Sequence, residues 1–147
     1  MEPVQSIAAV AQVIQLAVAP VFLLAGIAGL LGVLTTRLGR AIDRSRVLES
    51  RLPLTPGDDP ERQVLRSEMA TLWSRIGWIK WAIGLCVGAA LMICLVIVAL
   101  FLGNLTTAHI GTLIAAFFVM AMLLIISGLV CLLVEISLSA GGMRRPS

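Results

Sequence analysis

Few side chains in this 147-residue sequence are placed to do chemistry. The thiols Cys86, Cys94 and Cys131 all lie inside apolar runs, with neither CxxC nor Cys/His spacing. That pattern indicates no zinc site and no disulfide framework, and a buried cysteine behaves as a small hydrophobe. His109 is the sole histidine, so a haem or metal site would lack further imidazole ligands. No serine or cysteine has an activating partner nearby, and no glycine-rich phosphate loop occurs. The expectation is a protein that is not an enzyme, with no catalytic residues, no metal and no cofactor.

The remaining polar candidates sit in or beside apolar segments. Gln5, Gln12 and Gln15 share one face at 100° per residue. An amide in hydrocarbon is costly without a partner, so Gln12 and Gln15 should meet another helix or line a polar path. Interhelical bonding is the favoured reading. Glu135 is the one acid beyond residue 80. With Arg37 and Lys80 at comparable depth, it is expected to form an ion pair that ties helix ends together. A proton relay is the alternative for such an acid. Gly26 and Gly29, and the pair Gly84 and Gly88 in GxxxG spacing, mark expected helix-packing surfaces.

The elements that must carry these residues follow from composition. Hydrophobic residues make up 59% and charged residues only 13%, about half the charge of an ordinary soluble domain. The missing polar surface implies lipid. A membrane helix needs about 20 apolar residues, and three stretches qualify: about 7–36, 81–102 and 110–134. None alternates as a barrel strand would. The fold expected is an all-α membrane protein, a single membrane domain over 1–147.

Charge placement gives the direction. No Lys or Arg precedes Arg37 or falls between Lys80 and Arg144. By the positive-inside rule, all eleven basic residues lie on one side if the N-terminus is outside and the C-terminus cytoplasmic. The first span lacks a basic leader, and Pro20 after Ala17-Val18-Ala19 disfavours cleavage, so retention is expected. Asn104-Leu105-Thr106 matches a glycosylation acceptor, but the short loop favours a polar turn.

Residues 37–80 carry nine basic and six acidic side chains. Their centre, Pro53-Leu-Thr-Pro-Gly-Asp-Asp-Pro60, is turn chemistry. Before it, Leu38, Ala41, Ile42, Ser45, Leu48 and Leu52 form a helical stripe. After it, Asp59 can cap a helix begun by Pro60 and Glu61, with Leu65, Met69, Leu72, Ile76 and Ile79 as a second stripe. Pairing the stripes gives a cytoplasmic antiparallel helical hairpin made of extensions of helices one and two. A helix lying on the membrane surface is the alternative. Arg37, Arg40, Arg44 and Arg51 fall within about 60° on one face. That basic face anchors topology and leaves room for anionic lipid headgroups or a cytoplasmic protein partner. Its interleaving with Asp43 and Glu49, without a nucleic-acid fold signature, argues against nucleic acid.

Ala19-Pro-Val-Phe-Leu-Leu-Ala-Gly-Ile27, Arg37-Leu-Gly-Arg-Ala-Ile-Asp-Arg-Ser-Arg-Val-Leu-Glu49 and Glu135-Ile136 resemble a bacterial family of small three-span integral membrane proteins known only as a domain of unknown function. The resemblance implies a bacterial inner-membrane location and no particular activity. The function expected is a structural or regulatory component that forms homo-oligomers and presents the charged hairpin. A subunit of an oligomeric ion channel or transporter is the alternative.

Overall fold

The structure, a computed structural model, describes residues 2–105 and 110–141. It is helical, with no strand among the described residues: α1 (Glu2–Arg51), a short 3-10 turn (Leu52–Leu54), α2 (Pro60–Leu105) and α3 (Gly111–Gly141). All three α-helices are long and apolar enough to cross a membrane. The protein is thus a multi-pass membrane protein.

Length alone requires two of these helices to leave the bilayer. At 1.5 Å per residue, the 50 residues of α1 and 46 of α2 reach about 75 and 69 Å, against about 30 Å of hydrocarbon. The excess coincides with the charged residues 37–51 and 60–80. Pro20 does not interrupt α1, which runs through it.

The turn between α1 and α2 forms for local reasons. Pro53 and Pro56 lack the N–H donors a helix would need, and Thr55 Oγ1 donates to the Arg51 carbonyl at 3.2 Å. Asp59 then caps α2, its Oδ1 accepting from the Glu61 N–H at 2.9 Å. Pro60 occupies the first helical position, where its missing donor costs nothing.

Buried positions follow the seven-residue repeat of side-by-side helix packing. In α1 these are Ile27, Leu34, Ala41 and Leu48; in α2, Leu65, Leu72, Ile79, Cys86 and Ile93, with Ala82, Ala89 and Val96 three residues offset. In α3 they are Ala121, Gly128 and Glu135. The rest of each helix faces outward: only 11–22% of the most apolar windows is buried.

Two compact units arise from this packing. The first comprises Met1–Leu30 and Leu85–Ile126. Its interior is rich in small side chains, Ala17, Cys86, Ala89 and Ala121, which let backbones approach closely. A Cβ placed on Gly88 would lie 3.5 Å from Leu124 Cδ1, so this glycine faces α3.

The second unit comprises Leu31–Gly84 and Ser127–Ser147. Leu48, Leu65 and Leu72 form a cluster there, flanked by Leu52 and Met69. Both stripes read from the sequence are the buried faces of their helices. The buried Ser45 hydroxyl donates to the Ile42 carbonyl at 2.8 Å, so it leaves no unmet donor. Arg44 links α1 to α2 through Glu68 Oε1, at 2.9 Å from Nε and 2.6 Å from Nη2.

Leu48 is completely buried, so Leu48→Ala should destabilise its cluster by about 2–4 kcal/mol. Hydrogen exchange in detergent is expected to speed up in residues 44–52 and 62–72 and stay unchanged in residues 86–96. Unaltered protection around Leu65 and Leu72 would show that the two stripes do not support each other.

Candidate functional site

Glu135 occupies a position where a membrane helix ordinarily places an apolar or small side chain. It continues the buried series Ala121 and Gly128 of α3, which turns its carboxylate inward, and its exposure is 0%. An isolated carboxylate so placed would suffer a desolvation cost of several kcal/mol. Two guanidinium groups offset it.

Arg37 of α1 donates from Nη1 to Glu135 Oε2 at 2.5 Å. Arg75 of α2 donates from Nη2 and Nε to Oε1 at 2.8 and 3.1 Å. Each oxygen therefore has its own arginine, and one carboxylate joins three helices within the second unit. The arginine side chains keep 35% and 24% of their exposure, so their charges retain partial solvation while the acid has none. Guanidinium suits the task better than ammonium: it is planar, carries several donors and is more weakly hydrated. With both oxygens engaged by permanent cations, the carboxylate is a fixed tie.

Lys80, expected from the sequence in this cluster, is not in it. It is exposed, and it lines a groove with Ile42, Ser45, Arg46, Glu49, Trp73 and Ile76. The reason is helical phase. Lys80 follows Arg75 by five residues, about 140° around α2, so the two cannot face the same acid. Arg75 is the residue that sequence reasoning missed. The Ala121, Gly128, Glu135 repeat was a readable signal that the acid points inward.

The basic face of α1 is divided by its partners. Arg37 turns to Glu135 and Arg44 to Glu68, while Arg40 and Arg51 remain exposed. Among the described residues the ion pairs of this region run between helices, and none joins Arg46 to Asp43 or Glu49.

The glycines differ among themselves. Gly88 meets α3, whereas a Cβ on Gly26, Gly29 or Gly84 would meet nothing within 4 Å. These three do not mediate close helix contact within the chain. Gly128, which the sequence reading passed over, is buried.

Gln12 and Gln15 are exposed on α1, and no interhelical hydrogen bond involves them among the described residues. Within the single chain the buried side of α1 here carries Val13 and Ala17 instead of the two amides. His109, Thr106 and the basic Arg144 and Arg145 lie outside the described residues. Cys86 is buried, Cys94 exposed and Cys131 half-buried, and none forms a disulfide. Among the described residues, no group of three His, Cys, Asp or Glu side chains could hold a metal.

Glu135→Gln leaves two arginines without their acid and should lower stability by about 3–5 kcal/mol. Arg75→Gln should also destabilise markedly, and Lys80→Gln should lie within about 0.5 kcal/mol of wild type. Thermal unfolding in a fixed detergent measures all three. Equal effects of Arg75→Gln and Lys80→Gln would contradict the geometry.

The match to known proteins is at the level of family. No match was found among curated proteins or among solved structures. A family model described as a protein of unknown function, DUF2721, matches residues 17–145, which include α1 from Ala17 onward, all of α2 and α3, and every member of the Glu135 cluster. This chain therefore belongs to the DUF2721 family.

Proposed function

We propose that the protein is a non-enzymatic structural or regulatory component of the bacterial inner membrane. In this reading the N-terminus is outside, the C-terminus is cytoplasmic, and residues 37–80 stand in the cytoplasm as an antiparallel helical hairpin. The chain forms a homo-oligomer and presents the hairpin's charged surface to a protein partner.

The observation that carries this reading is the closed state of the Glu135 carboxylate. It is 0% exposed and both oxygens accept from guanidinium donors, which favours a role in holding helices together over a proton relay. The distribution of lysine and arginine supports the orientation. The Leu48, Leu65 and Leu72 cluster and the Arg44–Glu68 pair support the hairpin over a helix laid on the membrane. Self-association is supported by the open backbone at Gly26, Gly29 and Gly84.

A second reading, a subunit of an oligomeric channel or transporter, is favoured by one observation. Gln12 and Gln15 are exposed on a helix otherwise suited to lipid, and their amides would be satisfied around a polar path between copies.

Three measurements separate these readings. A single cysteine at Thr55, in a cysteine-free background, should react with an impermeant maleimide only after the membrane is opened; labelling of intact cells would reverse the orientation. Gly84→Leu should shift the detergent-solubilised protein toward monomer in light scattering, and an unchanged mass would count against that surface. Gly88 is a poor probe of association because it packs within the chain. For the channel reading, proteoliposomes should pass ions and Gln12→Leu should abolish the flux. Absence of flux across several ions and voltages removes that reading.

A further inference from the structure

We propose that the second unit holds a specific site for the phosphate of an anionic phospholipid. The site is a groove of about 420 Å³ lined by Arg44, Ser67, Glu68, Thr71, Arg75 and Ser139. The proposal rests on placing Arg75, at the foot of the proposed hairpin, at a membrane surface, and not on which surface that is.

Charge is the first argument. Arg44, Arg75 and Glu68 line the groove, and Arg75 joins them to the buried Glu135 and its second arginine, Arg37, making three guanidiniums against two carboxylates. The cluster is one negative charge short of balance. Arg44, half exposed beside the groove, is open to a further acceptor, and a phosphodiester monoanion supplies the missing charge. The geometry of the donors agrees. Arg75 uses Nε and Nη2 on Glu135, and Arg44 uses Nε and Nη2 on Glu68, so each keeps its Nη1 donors for a further acceptor. Arginine is well matched to phosphate because its donors fork.

Position identifies the phosphate as a lipid's. Arg75 lies in α2 between exposed Trp73 and Trp78, with exposed Trp81 one turn further on. Tryptophan collects at headgroup level, where its ring is apolar and its N–H is wet. The groove wall near Arg75 also includes Leu72, one turn away in α2, and Leu138, one turn past Glu135, apolar surface that suits a glycerol backbone. Phosphate arriving from solution would gain nothing from those side chains.

The test weighs the full chain in detergent by native mass spectrometry. It is titrated separately with phosphatidylglycerol, with phosphatidylcholine, and with phosphatidylglycerol in the presence of inorganic phosphate. Phosphatidylglycerol should be retained preferentially, and inorganic phosphate should not displace it. Arg44→Gln should weaken retention about fivefold, the usual effect of one cation near an anionic lipid. Glu68→Gln should strengthen it by a comparable factor, because it removes the competing acid while leaving Arg44 in place. Arg51→Gln, remote from the groove, should change it less than about twofold.

The opposite signs for Arg44→Gln and Glu68→Gln separate lipid binding from loss of a merely structural pair, which would move both the same way. Equal weakening by Arg44→Gln and Arg51→Gln overturns the site in favour of general attraction to negative lipid. Displacement by inorganic phosphate overturns the lipid in favour of a soluble anion, and equal retention of the two lipids overturns the proposal outright. Should Arg44→Gln unfold the chain, the Glu68→Gln result and the lipid comparison still decide. The proposed orientation is tested independently by the Thr55 labelling, so either reading can fail alone.

Discussion

A carboxylate removed from water must find its counter-charges nearby, and in this protein that requirement fixes how three helices meet. Glu135 is fully buried in α3, at a repeat position that elsewhere holds Ala121 and Gly128. Arg37 and Arg75 approach it from α1 and α2 and take one oxygen each. Apolar packing can often slide by a small amount at little cost. A charge-assisted bond of 2.5–3.1 Å cannot, because its strength falls off steeply with distance and angle. The cluster thus sets register as well as adding stability. Removing one member is worse than never having the set, since the survivors keep a desolvated charge without its partner.

Around this tie the interior is modest. Short side chains dominate the first unit, and the second adds leucines and isoleucines on the same seven-residue repeat. Most apolar surface, including Phe22, Trp81, Leu91 and Leu133, points outward. In a bilayer this is no defect, because lipid tails are as apolar as leucine and helices gain little by hiding such side chains from them. What specifies packing instead is close backbone approach and polar pairing. The surface also explains why the open glycines and exposed glutamines matter: they are the features that a lipid neighbour would not reward.

Much of this organisation was legible in the residues. The three spans followed from apolar length, the turn from Pro53, Pro56 and the Asp59 cap, and both buried stripes from their spacing. Glu135 and Arg37 were legible as partners because Glu135 is the one acid beyond residue 80 and Arg37 is the first charge after span one. Lys80 has the depth of the cluster but not its helical phase. Depth fixes how far along a helix a side chain lies, whereas phase fixes which way it points, and Arg75 has the phase that Lys80 lacks. Likewise, Gly84 and Gly88 share a motif but not an environment, since only Gly88 meets a neighbour, at Leu124. The Arg44–Glu68 pair was not readable, because it depends on the register between α1 and α2.

The most direct measurement of the central claim is a double-mutant cycle between Glu135 and Arg75. Unfolding free energies of Glu135→Gln, Arg75→Gln and the double variant are compared with wild type in one detergent. The structure predicts a coupling energy of about 1–3 kcal/mol for this pair and near zero for the same cycle with Lys80. Additive effects of Glu135→Gln and Arg75→Gln would contradict the view that one buried carboxylate holds the helices together.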